Sequence, residues 1–294
     1  MELGIITDEV HANFATACEH IRRWGLTIAE VRNVDGKNVT QLDEGEAEHA
    51  AATLRHFGLR VSGIASPVFK SPFDEAAEPT KADFSVAGAV TVAEQLDLLE
   101  RSCRLAKLFD TRLVRVFTFL RVPWSDEVVT EVVERMVRAV EVAARHDVIL
   151  AVENEPACVV GTGAELGDFF ARLDAALSPA LRRHVGTLWD PGNALALGED
   201  EPYPAGYAAL AKDRIVHVHL KDAATVPATF GSFVPLGEGL VDYAGQFAAL
   251  RRDGYAGSVV LEPHYAPPGM ETTAAAKLCV DAAHRLLSAT AGAV

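Results

Sequence analysis

Four apolar runs in the second half of the chain each end on a side chain able to hold a cation or move a proton. Val148-Ile149-Leu150-Ala151-Val152 ends in Glu153-Asn154-Glu155-Pro156, and Val185–Trp189 leads into Asp190-Pro191-Gly192-Asn193. Val216-His217-Val218-His219-Leu220 is followed by Lys221-Asp222, and Leu261 closes on Glu262-Pro263-His264. Successive side chains of a strand face opposite ways, so His217 and His219 share one face and Val216 and Val218 the other. With the valines against a helical layer, both imidazoles point inward. Glu153, Asp190, Glu262 and one histidine supply three hard oxygens and one nitrogen. That set suits one divalent ion with coordination positions left for substrate: Mn²⁺ first, with Mg²⁺, Co²⁺ or Zn²⁺ as alternatives. A lone carboxylate after a strand is commonly the N-cap of the next helix. Four potential ligands at matching depth read together as a site.

The elements that must position these groups alternate along the whole chain. Strands are predicted at Leu3–Thr7, Ile28–Arg32, Arg60–Ala65, Leu113–Thr118, Val148–Glu153, Val185–Asp190, Ile215–Leu220 and Ser258–Glu262. Helical periodicity falls at Phe14–Trp24, Glu44–Phe57, Val92–Phe109, Asp126–Arg145, Glu165–Leu177, Tyr207–Lys212, Tyr243–Arg251 and Thr273–Leu287. Alternating strands and helices imply right-handed βαβ units and a parallel sheet. Eight pairs in 294 residues fit an α/β fold, a single (β/α)8 TIM barrel spanning residues 1–294, whose chemistry belongs at the C-terminal strand ends. A doubly wound sheet would carry a Gly-rich first turn, and Thr7-Asp8-Glu9-Val10-His11 is not one. Gly25, Gly58 and Gly254 stand where left-handed helix ends are expected. Two connections, Ser66–Ala89 and Lys221–Val241, are long enough to be binding loops. The small-residue stretch Ala289–Val294 reads as a frayed tail.

Composition narrows the ligand. Asp and Glu number 41 against 27 Lys and Arg, a net charge of −14, with no basic cluster. Nucleic acid is therefore excluded as the expected partner. No apolar run reaches membrane-helix length, the first residues lack a signal-peptide pattern, and Cys18, Cys103, Cys158 and Cys279 form no CxxC. A cytoplasmic, reduced protein without membrane contact is the expectation.

The strand ends ENEP, WDPGN, HVHLKD and LEPH resemble the xylose-isomerase-like TIM-barrel superfamily of sugar isomerases and epimerases, which also includes endonuclease IV, inosose dehydratase and 3-dehydroshikimate dehydratase. The opening GIITDEV, the segment Glu30–Val39 and the segment Ala65–Phe73 are similar to its sugar-phosphate isomerase/epimerase branch. The resemblance implies metal ligands at Glu153, Asp190, His219 and Glu262, His219 being the histidine directly before the hydrophobic-Lys-Asp stretch. It also implies that Glu153 and Glu262 exchange a proton on opposite faces of one substrate carbon, and it implies a homodimer or homotetramer. Epimerase members carry a histidine three positions after the Asp ligand; this chain has Asn193. Endonuclease IV needs extra histidines at strand ends where this chain has none.

The chemistry accounts for the groups. A C–H next to a carbonyl is too weakly acidic for a carboxylate alone near neutral pH. A chelated metal stabilises the enediolate, and a carboxylate on each face contributes about 10²–10⁴ as base or acid. A hydroxyl β to the carbonyl would instead be expelled as water. The expected activity is isomerisation or epimerisation of a small sugar or keto-sugar. A lyase acting on a keto-cyclitol, dehydroshikimate-like or 3-keto-glycoside substrate is the alternative, and a non-catalytic sugar-binding protein is the rival of another class.

Further residues fall around this set. Lys221 is placed to neutralise an enolate oxygen. His217 and His264 either bind substrate or support a metal ligand. Glu155 is a third acid/base candidate, and Asn193 keeps hydrogen bonding to a hydroxyl. Arg32 and Lys70 could clamp a carboxylate or phosphate, unless Asp8 and Glu9 pair with Arg32. Phe69, Phe73, Phe117 and Trp124 are candidates for an apolar wall.

Overall fold

The computed structural model describes residues 1–76, 90–229 and 231–290. Eight strands close into a parallel barrel: β1 (Glu2–Ile6), β2 (Ile28–Val31), β3 (Arg60–Ile64), β4 (Leu113–Val116), β5 (Ile149–Glu153), β6 (Val185–Trp189), β7 (Ile215–Leu220) and β8 (Ser258–Leu261). Each neighbours its sequence successor, and β8 pairs with β1 through Glu2↔Ser258 to Ile5↔Leu261. The protein is a single (β/α)8 TIM barrel. Helices α1 (Phe14–Arg23), α2 (Glu44–His56), α3 (Val92–Leu108), α4 (Asp126–His146), α5 (Gly163–Ala176), α6 (Pro191–Leu197), α7 (Tyr243–Arg252) and α8 (Thr272–Ala289) follow the strands in turn.

Local chemistry starts and stops these helices where the sequence indicates. Asp43 with Glu46, Thr91 with Glu94 and Thr162 with Glu165 form reciprocal capping boxes at the starts of α2, α3 and α5. Gly25, Gly58 and Gly254 adopt φ of 83°, 66° and 81° just beyond α1, α2 and α7. The core lies between barrel and helices, where β5 to β7 are buried on both faces, as parallel strands flanked by helices must be.

One helix differs from expectation. The sixth begins directly after β6, at Pro191, because Asp190 accepts from the Asn193 backbone and Pro191 has φ set for a first turn. Of Tyr207–Lys212 only Tyr207–Ala209 is α-helical, after a π turn at Pro202–Gly206; Leu210 is extended, and Lys212 opens a separate 3-10 turn. Of the long third connection, residues 77–89 lie outside the described residues, as do 291–294 of the expected tail. Among the described residues no helix is long and apolar enough to cross a membrane. All four cysteines are buried and free.

Candidate metal centre and active site

The ends of β5 to β8 converge. Glu153 is the last residue of β5, Asp190 caps α6, His219 lies near the end of β7, and Glu262 follows β8 directly. One ligand atom from each lies within 4.8 Å of all the others, and all four residues are buried. The register sets this meeting: Glu153 stands beside Leu188 of β6, Trp189 beside Val218 of β7, and His219 beside Val260 of β8.

Two asparagines hold the first two carboxylates. The Asn154 amide donates to the Asp190 carbonyl at 2.8 Å and accepts from the Asp190 N–H at 2.8 Å. Asn193 donates from its backbone to Asp190 Oδ1 and from Nδ2 to Glu153 Oε1 at 3.1 Å. The close start of α6 depends on Gly192, where a Cβ would lie 2.1 Å from Lys221 Cγ and 2.4 Å from its carbonyl oxygen.

The donor set fits a divalent ion. Asp190 Oδ2 and Glu153 Oε2 are buried oxygens without a hydrogen bond among the described residues. The Lys221 ammonium at 3.1 Å and the Arg115 guanidinium at 3.3 Å pair with them only ionically. Buried anionic oxygens left without donors are costly, and a cation between them removes that cost.

His219 is oriented from behind. Its Nε2 donates to Glu30 Oε1 at 3.0 Å, which turns Nδ1 toward Glu153 Oε1 at 3.2 Å and Glu262 Oε2 at 3.6 Å. Nδ1 is thus the nitrogen that faces the three carboxylates' meeting point. The other Glu30 oxygen accepts from His217 Nε2 at 2.6 Å. Burial opposes charge on both partners, yet the ion pairs win: Glu30 lies well below the usual carboxylate range, and His219 well above the usual histidine value.

Cations ring the carboxylates. Arg32 donates to Asp8 at 2.9 Å, Glu9 at 2.6 Å and Glu262 at 2.7 Å. Lys221 Nζ donates to Glu262 at 2.6 Å. Burial by itself would raise Glu262, but Lys221 and His264 hold it well below the usual range; Arg115 and His219 lower Glu153 against the same penalty. Burial dominates at Asp190, and its carboxyl is raised despite Lys221. Lys221 itself is held firmly protonated, burial being outweighed by Asp190 and Glu262.

A cavity of about 190 Å³ opens above, lined among others by Arg32, Lys70, Arg115, Glu155, Asn193, Glu262 and His264. This is below the roughly 300–1,000 Å³ of drug-sized ligand sites, a size for a small molecule. Of the expected substrate groups, Lys70 pairs with Glu155 at 3.3 Å, and His264 contacts Glu9 at 3.0 Å. Two expectations need correction. Arg32 lines the cavity, but Asp8, Glu9 and Glu262 share its donors, so it fixes Glu262 rather than forming a clamp with Lys70. His217 lies beneath the mouth against Glu30 and outside the cavity lining, since two residues along a strand place it about 6.6 Å deeper than His219. The apolar wall is Phe117 and Phe233; Phe69 and Phe73 instead pack on Phe119.

Sequence reasoning missed Glu30 and Arg115. Each is a charged residue inside a short apolar run, Ile28-Ala29-Glu30-Val31 and Leu113-Val114-Arg115-Val116, and that placement was the available signal. Arg115 rests over the Phe117 ring at 4.8 Å and reaches Glu153.

Residues 18–283 match a family described as xylose isomerase-like TIM barrel. A putative L-ribulose-5-phosphate 3-epimerase, SgbU of Escherichia coli (strain K12), is 35% identical over 134 residues, covering 44% of this chain and 43% of that protein. The inosose dehydratase of Geobacillus thermodenitrificans (strain NG80-2) is 26% identical over 236 residues, covering 74% and 72%. The crystal structure of the IOLI protein with a binding zinc atom superposes with a TM-score of 0.78 at 15% identity, over 99% of this chain and 100% of that one.

Proposed function

The chain belongs to the xylose isomerase-like TIM-barrel family, and from that premise we propose that it is a divalent-metal-dependent isomerase or epimerase of a small sugar or keto-sugar, working through an enediolate. The observation that carries the proposal is the meeting of Glu153, Asp190, His219 and Glu262 within 4.8 Å beside a small cavity. These four residues would hold the ion, which when bound stabilises negative charge on a substrate carbonyl oxygen. Mn²⁺ suits the donors, Mg²⁺ and Co²⁺ are alternatives, and the zinc atom of the IOLI structure keeps Zn²⁺ in the set.

The protein's own groups carry the proton. Glu153 and Glu262 stand three strands apart around the barrel, and both are ionised near neutral pH because neighbouring cations outweigh burial. One removes a proton from the substrate carbon and keeps it; the other, once it has taken up a proton from solvent, delivers that second proton to the opposite face. Asn193 steadies Glu153, while Arg32 and Lys221 steady Glu262. The Lys221 ammonium also neutralises charge developing on a substrate oxygen. Lys70, Glu155, Asn193 and His264 line the cavity as substrate-binding groups.

A lyase reading has one observation in its favour: inosose dehydratase aligns over 74% of this chain, a longer stretch than the epimerase does. With a hydroxyl β to the carbonyl, the same enolate expels water, and Lys221 or His264 protonates the departing oxygen. The test is incubation of Mn²⁺-loaded protein in D₂O with L-ribulose 5-phosphate, free ketoses and a keto-inositol. Deuterium on the carbon next to the carbonyl is expected. An isomerised product without label refutes proton transfer, water loss selects the lyase, and binding without turnover selects a sugar-binding protein.

A further inference from the structure

Alternation along β7 and beyond sends His219 and Lys221 toward the carboxylates and Asp222 the other way. Asp222 is completely buried, and backbone N–H groups of the following loop take up its carboxylate. Ala223 and Val241 donate to Oδ1 at 3.0 and 3.1 Å, and Gly237 and Gly239 to Oδ2 at 2.9 and 3.1 Å. A buried carboxylate is tolerated only when so satisfied, and here the donors come from both ends of one connection. Its two ends are thereby pinned to one side chain. Gly239 approaches so closely that a Cβ would fall 2.2 Å from Asp222 Oδ1 and 2.6 Å from the Ala223 carbonyl oxygen.

The pinned segment is a wall of the cavity. Asp222–Ala223 pairs with Phe233–Val234 as an antiparallel ribbon, and Ala228 and Phe233 line the cavity. The Phe233 ring stands edge-on to His264, with centroids 5.4 Å apart, and His264 in turn contacts Glu9. At the base, the Tyr243 hydroxyl donates to the Lys221 carbonyl at 2.7 Å and accepts from the Lys221 N–H at 3.0 Å. The strand that carries His219 and Lys221 thus continues, through one carboxylate, into the wall that faces the substrate.

We propose that Asp222 is a positioning residue: by gathering four N–H groups of the β7–α7 connection, it holds Phe233 and Ala228 against the cavity and so sets substrate affinity without touching substrate. The part of the proposal that concerns substrate rests on the function proposed above; the part that concerns the loop does not.

The experiment compares wild-type protein with Asp222→Asn and, separately, Gly239→Ala, which disturbs the same contact while keeping the carboxylate. Hydrogen–deuterium exchange of residues 222–241 is measured first, with Mn²⁺ binding on the same samples. Both variants are expected to exchange at least tenfold faster at residues 237–241, with Mn²⁺ affinity within about threefold of wild type. On whichever substrate of the D₂O panel is turned over, KM should rise about tenfold or more and kcat change less than threefold. Unchanged exchange in both variants overturns the pinning, whatever the activity. Faster exchange with unchanged KM, or an equal fall in kcat, overturns the link to substrate affinity while leaving the proposed reaction standing. If Asp222→Asn fails to fold, Gly239→Ala decides by the same readouts.

Discussion

Replacing Glu30 by Gln tests how the histidine ligand is prepared. The carboxylate accepts from two imidazoles, His217 at 2.6 Å and His219 at 3.0 Å, so both Nε2 atoms carry hydrogen and His219 Nδ1 faces the other ligands. A glutamine offers one acceptor and one donor. If its oxygen keeps the shorter bond to His217, its NH₂ group meets His219 Nε2, and the His219 proton must move to Nδ1, where the ion is to bind. If the amide flips, His217 Nε2 becomes an acceptor and its proton moves to Nδ1, a nitrogen with no hydrogen-bond partner among the described residues. Either arrangement also loses the negative charge that strengthens His219 as a ligand. Loss of such an outer partner costs about 10–100-fold in metal affinity, or about 1.4–2.7 kcal/mol. Titration calorimetry with Mn²⁺ on wild type and Glu30→Gln, with circular dichroism to check the fold, measures it. A folded variant that binds Mn²⁺ within twofold of wild type would refute the claim that Glu30 prepares the ligand.

Other expectations follow from the same geometry. Asp190→Ala should abolish stoichiometric Mn²⁺ binding, read by metal analysis after dialysis, because it removes a ligand whose second oxygen has no hydrogen bond among the described residues. Glu153→Gln and Glu262→Gln keep an oxygen for the metal but lose basicity, so turnover should fall by about 10² or more while metal content, measured on the same samples, falls much less; near-normal turnover at full occupancy would make that glutamate a ligand only. His219 is held protonated well above its usual value by Glu30 and Glu153, against burial, so the ion must displace a proton, and Mn²⁺ affinity should rise by about tenfold per pH unit through neutrality. Glu9, which burial would raise, is held by Arg32 and His264 at about 2 against an ordinary 4.5; its contribution of about 3 kcal/mol is fully present above pH 4.5 and lost as pH falls toward 2. Glu9→Gln should therefore flatten the fall in Tm between pH 5 and 3.

The barrel was legible because its signals are local. Each of the eight strands is a short apolar run ended by polar or glycine residues, and each was expected within about two residues of its observed bounds. The placement of Glu153, Asp190, His219 and Glu262 at one height could be read because those runs end on them. Glu30 and Arg115 could not be placed in the same way. Their importance depends on which strands face each other across the barrel interior, and Glu30 meets His219 across 189 positions of sequence. His217 illustrates the limit of alternation, which gives the face of a strand but not the depth at which a side chain stops mattering to the mouth. The sixth helix lies earlier than its periodicity suggests because Asp190 serves both as cap and as candidate ligand, and the short Pro191–Leu197 segment it caps is too brief to show a helical period. Asp222 escaped notice because its partners are backbone groups, which no side-chain motif reveals.

Asn154 carries a consequence for engineering. Its side-chain amide gives one N–H and takes one N–H from the Asp190 peptide, imitating a further rung of sheet where the two chains have already begun to diverge. The spacing between Glu153 and Asp190 is therefore set before either connection leaves the barrel. Asn193, which donates to both carboxylates from the next turn, belongs to the same support. A library built on this scaffold should leave Asn154 and Asn193 untouched, together with the buried segment Cys158–Val160 and Gly161, which accepts from Asn154, and place its diversity at other residues of the cavity lining.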